Sequence, residues 1–330
     1  MSNDFKRKII YSIIFAFLVY IVLVLWSDWE KLAAALTSFS WDLVPLVLLL
    51  TLGNDLGRLF KWQWYLNLLG VDISRRDSAR IFGVGMLMVM TPGKAGEFLK
   101  SYMVKNVTGT PMSVTAPVIL GERITDGMAM LVLASVGLFA FPEPAARRIA
   151  LLVLVALLIA VVVIQIRPLA LWCLAIGQRL PVVKKFASSL NNLYESSYLI
   201  FKPRNFLISL GIGLVTWAFE GLAFYTVLYG FGVPLSLEDA LAAVFILCMS
   251  TVIGAVVATP GGLGGVEGGL ATLSVRLFSI QFASATAAAL LTRFCALWMG
   301  VIVGVISFLL WPELLAGAEN VRREQVAIVD

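Results

Sequence analysis

A small set of ionisable residues recurs inside an otherwise apolar chain, at spacings that bring them together. Asp55 and Arg58 stand three apart, and Lys61 follows three further on. Residues at i and i+3 share a helix face, so one helix carries an acid and two bases along one stripe. Glu122, Arg123 and Asp126 form a second group, Glu220 stands alone in the middle of an apolar run, and Glu267, Arg276 and Arg293 complete the set. A charge at the bilayer centre costs about 2.5–3.5 kcal/mol on insertion scales. These groups must therefore pair in a structural network or face a wet cavity that accepts a charged headgroup. Arginine suits the second task, because its planar fork grips a phosphate through two hydrogen bonds.

Other chemistry is excluded. The chain has no histidine, which removes Ser-His-Asp and Cys-His catalysis, histidine-ligated metals and histidine proton relays together. Cys173, Cys248 and Cys295 are far apart in apolar context and read as small buried or lipid-facing residues. Glu122 with Asp126 would be the acid–base pair of an intramembrane lipid-modifying enzyme. No nucleophile motif or metal-ligand cluster accompanies them, so the chain is expected to be no enzyme and to need no cofactor or metal.

The elements that position these residues are membrane helices. Of the 330 residues, 60% are hydrophobic and 14% charged, against about 25% charged in a typical soluble chain; the mean hydropathy is +0.93. The expected fold is an all-α polytopic membrane protein with about six full spans, near residues 9–26, 41–68, 112–141, 149–166, 205–229 and 282–311. The first apolar run is longer than a signal-peptide core and lacks a small-residue cleavage site, so it reads as a retained helix. Lys6, Arg7 and Lys8 place its start in the cytoplasm. A basic segment holding Arg167, Arg179, Lys184, Lys185, Lys202 and Arg204 against Glu195 reads as a cytoplasmic connector over about 167–204. Arg147 and Arg148 fall outside in this scheme, against the rule. Both termini are expected in the cytoplasm and the protein in the cell membrane, with basic residues touching anionic headgroups rather than nucleic acid.

Two breaks interrupt the apolar pattern. Thr91, Pro92, Gly93 and Gly96 belong to "TPGKAGEFLK", and Thr259, Pro260, Gly261, Gly262 and Gly264 to "TPGGLGGVEGGL". Proline and glycine end a helix at such points. A ten-residue apolar run before Thr91 covers about half a bilayer, and Lys94, Glu97 and Lys100 after it are too polar to continue. Each break reads as the tip of a re-entrant hairpin. Upstream of each is a related loop, "GVDISRRDSA" or "GVPLSLEDAL", and downstream of each lies an intramembrane arginine, Arg123 or Arg293. The order occurs twice, over about 41–141 and 205–311, within one membrane domain. The charge pattern makes the copies enter from opposite faces, an inverted repeat that puts a site near the midplane. Helix starts after each break would offer N–H groups to an anion, unless Glu97 and Glu267 cap them. The glycines after Gly262 have a second reading, close helix packing.

The blocks "TPGKAGEFLKSYMV", "GERITD" and "TPGGLGGVEGGL" resemble the flippase-like family that includes the membrane region of the lysylphosphatidylglycerol synthases, over essentially the whole chain. The resemblance implies movement of a polar-headed lipid between leaflets: an anionic or aminoacylated phospholipid, a hopanoid or a polyprenyl-linked lipid. Only 19 residues follow Trp311, so the soluble transferase domain of those synthases is not expected. Arg123, Glu122, Asp126, Arg293, Asp55, Arg58, Lys94, Glu97, Glu220 and Glu267 are the expected substrate-binding residues. Membrane lipids are the expected partners, along with a lipid-modifying synthase or glycosyltransferase. A small-solute or ion-coupled secondary transporter is the alternative.

Overall fold

A computed structural model describes residues 29–91, 96–140, 187–257 and 259–315, with isolated positions at 148, 152, 155, 158 and 159. The span expected at 9–26 lies outside this set, as do Cys173, Pro92, Gly93 and Lys94, and the span expected at 149–166 falls outside it but for four of those isolated positions. The described residues are mostly helical, with no strand among them. Among the described residues, four stretches are long and apolar enough to cross a membrane: Trp41–Leu68, Pro203–Gly230, Leu237–Val257 and Phe282–Leu310.

Helix α1 (Trp29–Ser38) precedes α2 (Val44–Leu68), and α3 (Arg75–Met86) runs through a short 3-10 turn to the first break. Beyond it come α4 (Leu99–Thr108) and α5 (Met112–Ala140), which is long enough to span but carries Glu122, Arg123 and Asp126 at its middle. Helix α6 (Ala187–Ile200) leads into α7 (Pro203–Gly230) and α8 (Leu237–Val257). After the second break come α9 (Gly265–Phe278), α10 (Phe282–Arg293), a π-helical turn at Phe294–Trp298, and α11 (Met299–Leu310). Helix α8 has 21 residues, about 31 Å at 1.5 Å per residue. The arm entering the second break is thus as long as a full span, where its counterpart α3 is short.

The sequence of the two loops reproduces the same local structure. Gly70 and Gly232 adopt φ of 69° and 93°, a left-handed turn that glycine reaches without steric cost. The next residue closes each turn, with Val71 N–H donating to the Leu66 carbonyl and Val233 N–H to the Leu228 carbonyl. Ser74 Oγ accepts from Asp77 N–H and donates to the Asp77 carboxylate, starting α3. Ser236 and Asp239 do the same for α8. These hydroxyls satisfy N–H groups that a helix start otherwise leaves bare. The downstream arms also end alike, α4 at left-handed Gly109 and α9 at left-handed Ser279.

Packing repeats as well. Helices α2 and α7 lie against each other, and the 3-10 turns at the two breaks touch. Helix α3 packs on α11, the long helix of the other copy, and α8 packs on α5 in return. Contacts of α3 with α4 and of α4 with α5 have counterparts in α8 with α9 and α9 with α10. Small residues allow the closest crossings. A Cβ on Gly304 of α11 would fall 2.4 Å from the Leu87 backbone nitrogen, and one on Gly221 of α7 would fall 2.6 Å from Val244 of α8. Leu87 and Met88 from the first break and Leu263 from the second share a buried cluster with Leu297 and Val301.

Helix α2 shows why this bundle belongs in a membrane. Its exposed face carries Leu49, Leu52, Leu56 and Phe60, while the opposite stripe carries Thr51, Asn54, Asp55, Arg58 and Lys61. A soluble helix turns its polar face outward; here the apolar face is outside. The protein is a membrane-embedded, multi-pass helical protein.

Candidate functional site

A cavity of about 420 Å³ lies where the two copies meet, walled by α2, α5, α7, α8 and the second break. The helical period decides which side chains reach it. Thr51, Asn54, Asp55 and Arg58 come from one face of α2, and Arg123, Asp126, Gly127 and Met130 from one face of α5. Helix α7 contributes Trp217 and Glu220, and Arg293 enters at the end of α10, where the π-helical turn begins. Thr259, Gly261 and Gly262 of the second break line it too, as do Met86 and Val89 of the arm before the first break.

Six of the ten expected binding residues therefore line the cavity: Asp55, Arg58, Arg123, Asp126, Glu220 and Arg293. Three others stand behind the wall. Glu97 lies 3.3 Å from Arg123, and Glu267 accepts from Arg293 Nε at 2.8 Å. The two pairs share a spacing of 26 residues, so each copy uses its own glutamate after the break to aim its own arginine. Glu122 lines no part of the cavity; it accepts from Lys100 Nζ at 2.8 Å, both side chains being buried. The tenth, Lys94, lies outside the described residues. Of the expected break residues, Thr91 and Gly96 bond to each other, Gly96 N–H donating to Thr91 Oγ1 at 2.8 Å, and neither forms part of the wall.

Glu267 also settles what caps the second break. Its Oε2 accepts from Gly264 N–H at 2.7 Å, so one of the donors that an anion could use there is already taken. The carbonyl of Gly261 points back at the cavity and accepts from Arg293 Nη2. Gly261 and Gly264 have φ of 63° and 83°, which aims these backbone groups at the pair. Gly265 and Gly269 serve packing, since a Cβ there would meet Gly254 at 3.1 Å and Ser250 at 2.7 Å. Gly268 faces open space.

Two buried lysines carry more of the charge balance than their sequence context shows. Lys61 Nζ donates to Asp126 Oδ1 at 2.7 Å, which leaves Arg123 the outer oxygen, Oδ2, at 3.8 Å. Lys100 lies 4.4 Å from the centre of the Trp62 ring while it bonds Glu122. The second copy replaces these pairs with neutral residues. Ala223 and Ala296 stand where Lys61 and Asp126 would, and Leu270 and Thr292 where Lys100 and Glu122 would. Lys61 was legible as an extension of the Asp55–Arg58 stripe; Lys100 read only as a polar residue after a break.

Arginine capacity remains after these bonds. A guanidinium has five N–H donors, and Arg123 Nε has no hydrogen-bond partner. Thr51 Oγ1 and Trp217 Nε1, both on the wall, are buried without one as well. The wall thus offers donors from Arg123, Arg293, Trp217 and Thr51 to an anionic group. Asn54 Nδ2 donates to the Thr216 carbonyl at 2.8 Å, tying α2 to α7 beside the site. The cavity also reaches the outside of the bundle. Val256 lines it and is 71% exposed, next to exposed Ile253 and Val257.

Comparison with known proteins agrees with a membrane-embedded chain. The family model described as the lysylphosphatidylglycerol synthase TM region matches residues 13–304. A UPF0104 membrane protein of Methanothermobacter thermautotrophicus is 26% identical over 328 residues, covering 91% of this chain and 93% of its own. A second UPF0104 membrane protein of that organism is 24% identical over 273 residues, covering 74% and 78%. One from Methanocaldococcus jannaschii is 23% identical over 220 residues, covering 66% and 91%. With the model matched over most of its length, the chain belongs to the lysylphosphatidylglycerol synthase transmembrane-region family.

Proposed function

We propose that the protein moves a polar-headed lipid between leaflets, with the headgroup in the cavity between the two copies and the acyl chains left in the bilayer. One observation carries this reading: a cavity lined by three arginines reaches an exposed apolar flank at Val256. A lipid has both parts, and a site for a soluble solute has no use for the apolar mouth. Arg123 and Arg293, each held by a glutamate of its own copy, are the headgroup ligands; Thr51 and Trp217 add neutral donors. The headgroup class is anionic, with a phosphate as the group that fits a guanidinium fork.

In this reading the two helix–break–helix units are re-entrant hairpins inserted from opposite faces of the cell membrane, with both termini in the cytoplasm. Exchange of roles between the copies would open the cavity first to one face and then to the other. No covalent step is needed, and the acids of the cluster serve to hold cations. A lipid-modifying synthase or glycosyltransferase would supply the substrate.

Reconstitution tests this. With tail-labelled phosphatidylglycerol in vesicles, the fraction of label open to a membrane-impermeant quencher should equilibrate faster with the protein than without it. Losing two charge-assisted bonds of about 1.5–3 kcal/mol each should slow Arg123→Ala and Arg293→Ala by at least tenfold. Equal rates in the variants and the wild type would remove the arginines from the mechanism. Uptake of a soluble solute with no lipid movement would favour a secondary transporter instead.

A further inference from the structure

Among the described residues, one buried carboxylate is left over when the charges inside the bundle are paired. Asp55, Glu97, Glu122, Asp126 and Glu267 each lie within 3.7 Å of a cationic nitrogen. Glu220, in the middle of α7, is 8% exposed and lines the cavity. Among the described residues it has no ion-pair or hydrogen-bond partner.

The groups facing it are already committed. On α2, Arg58 is held by Asp55 at 3.7 Å. On α5, Arg123 is held by Glu97 and Asp126 by Lys61. Arg293 at the end of α10 is held by Glu267 and the Gly261 carbonyl. The remaining neighbours in electrostatic range, Cys248 on α8 and Cys295 in the π-helical turn, are thiols and supply no positive charge. An ionised carboxylate without a counter-charge is among the most costly groups to hold inside a bilayer. A monovalent cation removes that cost, as a proton on the carboxyl or as an alkali ion beside it.

We infer that Glu220 binds one monovalent cation from the cavity and couples its movement to that of the lipid, an inference that rests on the lipid-transport reading above. The geometry supplies the switch. Glu220 and Arg58 occupy the same position in the two copies, separated by the 162 residues that also separate Asn54 from its partner Thr216 on the facing helix. The Asp55–Arg58 contact is the longest among the primary ion pairs of the cluster, and Arg58 lies within electrostatic range of Glu220. With its cation bound, Glu220 leaves Arg58 to Asp55. Once the cation leaves, the bare carboxylate draws Arg58 across the α2–α7 contact. That contact joins the two copies, so the exchange biases one arrangement of the copies over the other.

The test uses the full chain in phosphatidylethanolamine–phosphatidylglycerol vesicles, with two readouts. Infrared difference spectra between acidic and alkaline buffer should show a protonated-carboxyl C=O band that is absent from Glu220→Gln and shifted but present in Glu220→Asp. Sodium in place of choline should lower the pH at which the band vanishes if an alkali ion competes, and leave it unchanged if the proton alone binds; both results support the site. No band that differs between the wild type and Glu220→Gln, in either buffer salt, overturns it.

The second readout is tail-labelled phosphatidylglycerol under a one-unit pH gradient or a tenfold sodium gradient, with the membrane potential clamped at zero. One coupled cation makes the leaflet ratio of the label rise by up to about tenfold in the wild type and stay near one in Glu220→Gln. Wild-type equilibration to equal leaflets under either gradient overturns the coupling and leaves lipid movement standing. A carboxyl band with no lipid movement by the wild type overturns the transport reading and leaves the cation site standing.

Discussion

Replacing Lys100 and Glu122 with the residues that stand at their positions in the second copy, Leu and Thr, should hurt the protein far less than replacing either alone. The pair is buried on both sides, at 4% and 5% side-chain exposure, with a 2.8 Å bond. Lys100→Leu leaves the Glu122 carboxylate without its cation, which costs about 3–5 kcal/mol for a buried pair. Loss of the ammonium above Trp62, 4.4 Å from its ring centre, adds up to about 2 kcal/mol. Glu122→Thr alone strands the ammonium at similar cost. In the double variant no charge is left to strand, and the hydroxyl brought in by Glu122→Thr can bond back to its own helix backbone, as that of Thr292 does to Ala288. Replacing both partners of a buried pair is often neutral, so the double should fall within about 1–2 kcal/mol of the wild type, the cation–π term being the remainder. The cycle therefore predicts a coupling of at least about 4 kcal/mol, above the usual range for contacting residues, because each single variant strands a buried charge. Unfolding by sodium dodecyl sulfate in mixed micelles, followed by tryptophan fluorescence, measures each corner. Leaflet transfer in the double should stay near the wild-type rate, because Glu122 lies off the cavity wall. A harmless Lys100→Leu, or a double variant as damaged as the sum of the singles, would refute the pairing.

Other substitutions separate packing from conformation and from transport. Gly304→Ala should destabilise by about 1–3 kcal/mol through overpacking, because its Cβ meets the Leu87 backbone at 2.4 Å; Gly211→Ala, with nothing within 4 Å in mid-helix, should stabilise by about 0.5–1 kcal/mol. The same unfolding assay reads both. Ser74→Ala and Ser236→Ala should each cost about 1 kcal/mol and match each other closely, since the two caps share one hydrogen-bond pattern; a large inequality would argue against equivalent loops. Val256→Trp, at a position 71% exposed on the apolar flank, should slow leaflet transfer severalfold while leaving the unfolding curve in place. An unchanged rate would move the lipid's path elsewhere.

Much of this site was legible in the sequence, for specific reasons. Charges inside apolar runs are too costly to be accidental, so Asp55, Arg58, Arg123, Asp126, Glu220 and Arg293 could be singled out, and one cavity gathers all six. The matched loops were visible because Gly70 with Ser74–Asp77 and Gly232 with Ser236–Asp239 are local devices whose residues lie side by side in sequence. What escaped depends on contacts between distant segments. Lys100 sits in a stretch that reads as the polar return arm of a hairpin, and only the fold shows it over Trp62 against Glu122. Glu97, Glu122 and Glu267 carried the right residue types but stand behind the wall, where they hold the cations. The length of α8 was legible, as the approach from Asp239 to Thr259 is six residues longer than that from Asp77 to Thr91. The π-helical turn after Arg293 has no sequence signal, being a register shift within an unbroken apolar run. Ser279 gave no sign of a left-handed helix end, because glycine holds the matching place at Gly109.

The central claim is that a lipid headgroup enters the cavity between the two copies. A phosphatidylglycerol analogue carrying a photoactivatable group on its headgroup tests it most directly, irradiated with the protein in vesicles and mapped by peptide mass spectrometry. Adducts are expected on the cavity faces of α2, α5, α7 and α8, around Thr51, Arg123, Trp217 and Thr251, and should diminish in Arg123→Ala and Arg293→Ala. Adducts confined to the outer faces, at residues such as Leu49 and Phe60, with none inside the cavity, would contradict it.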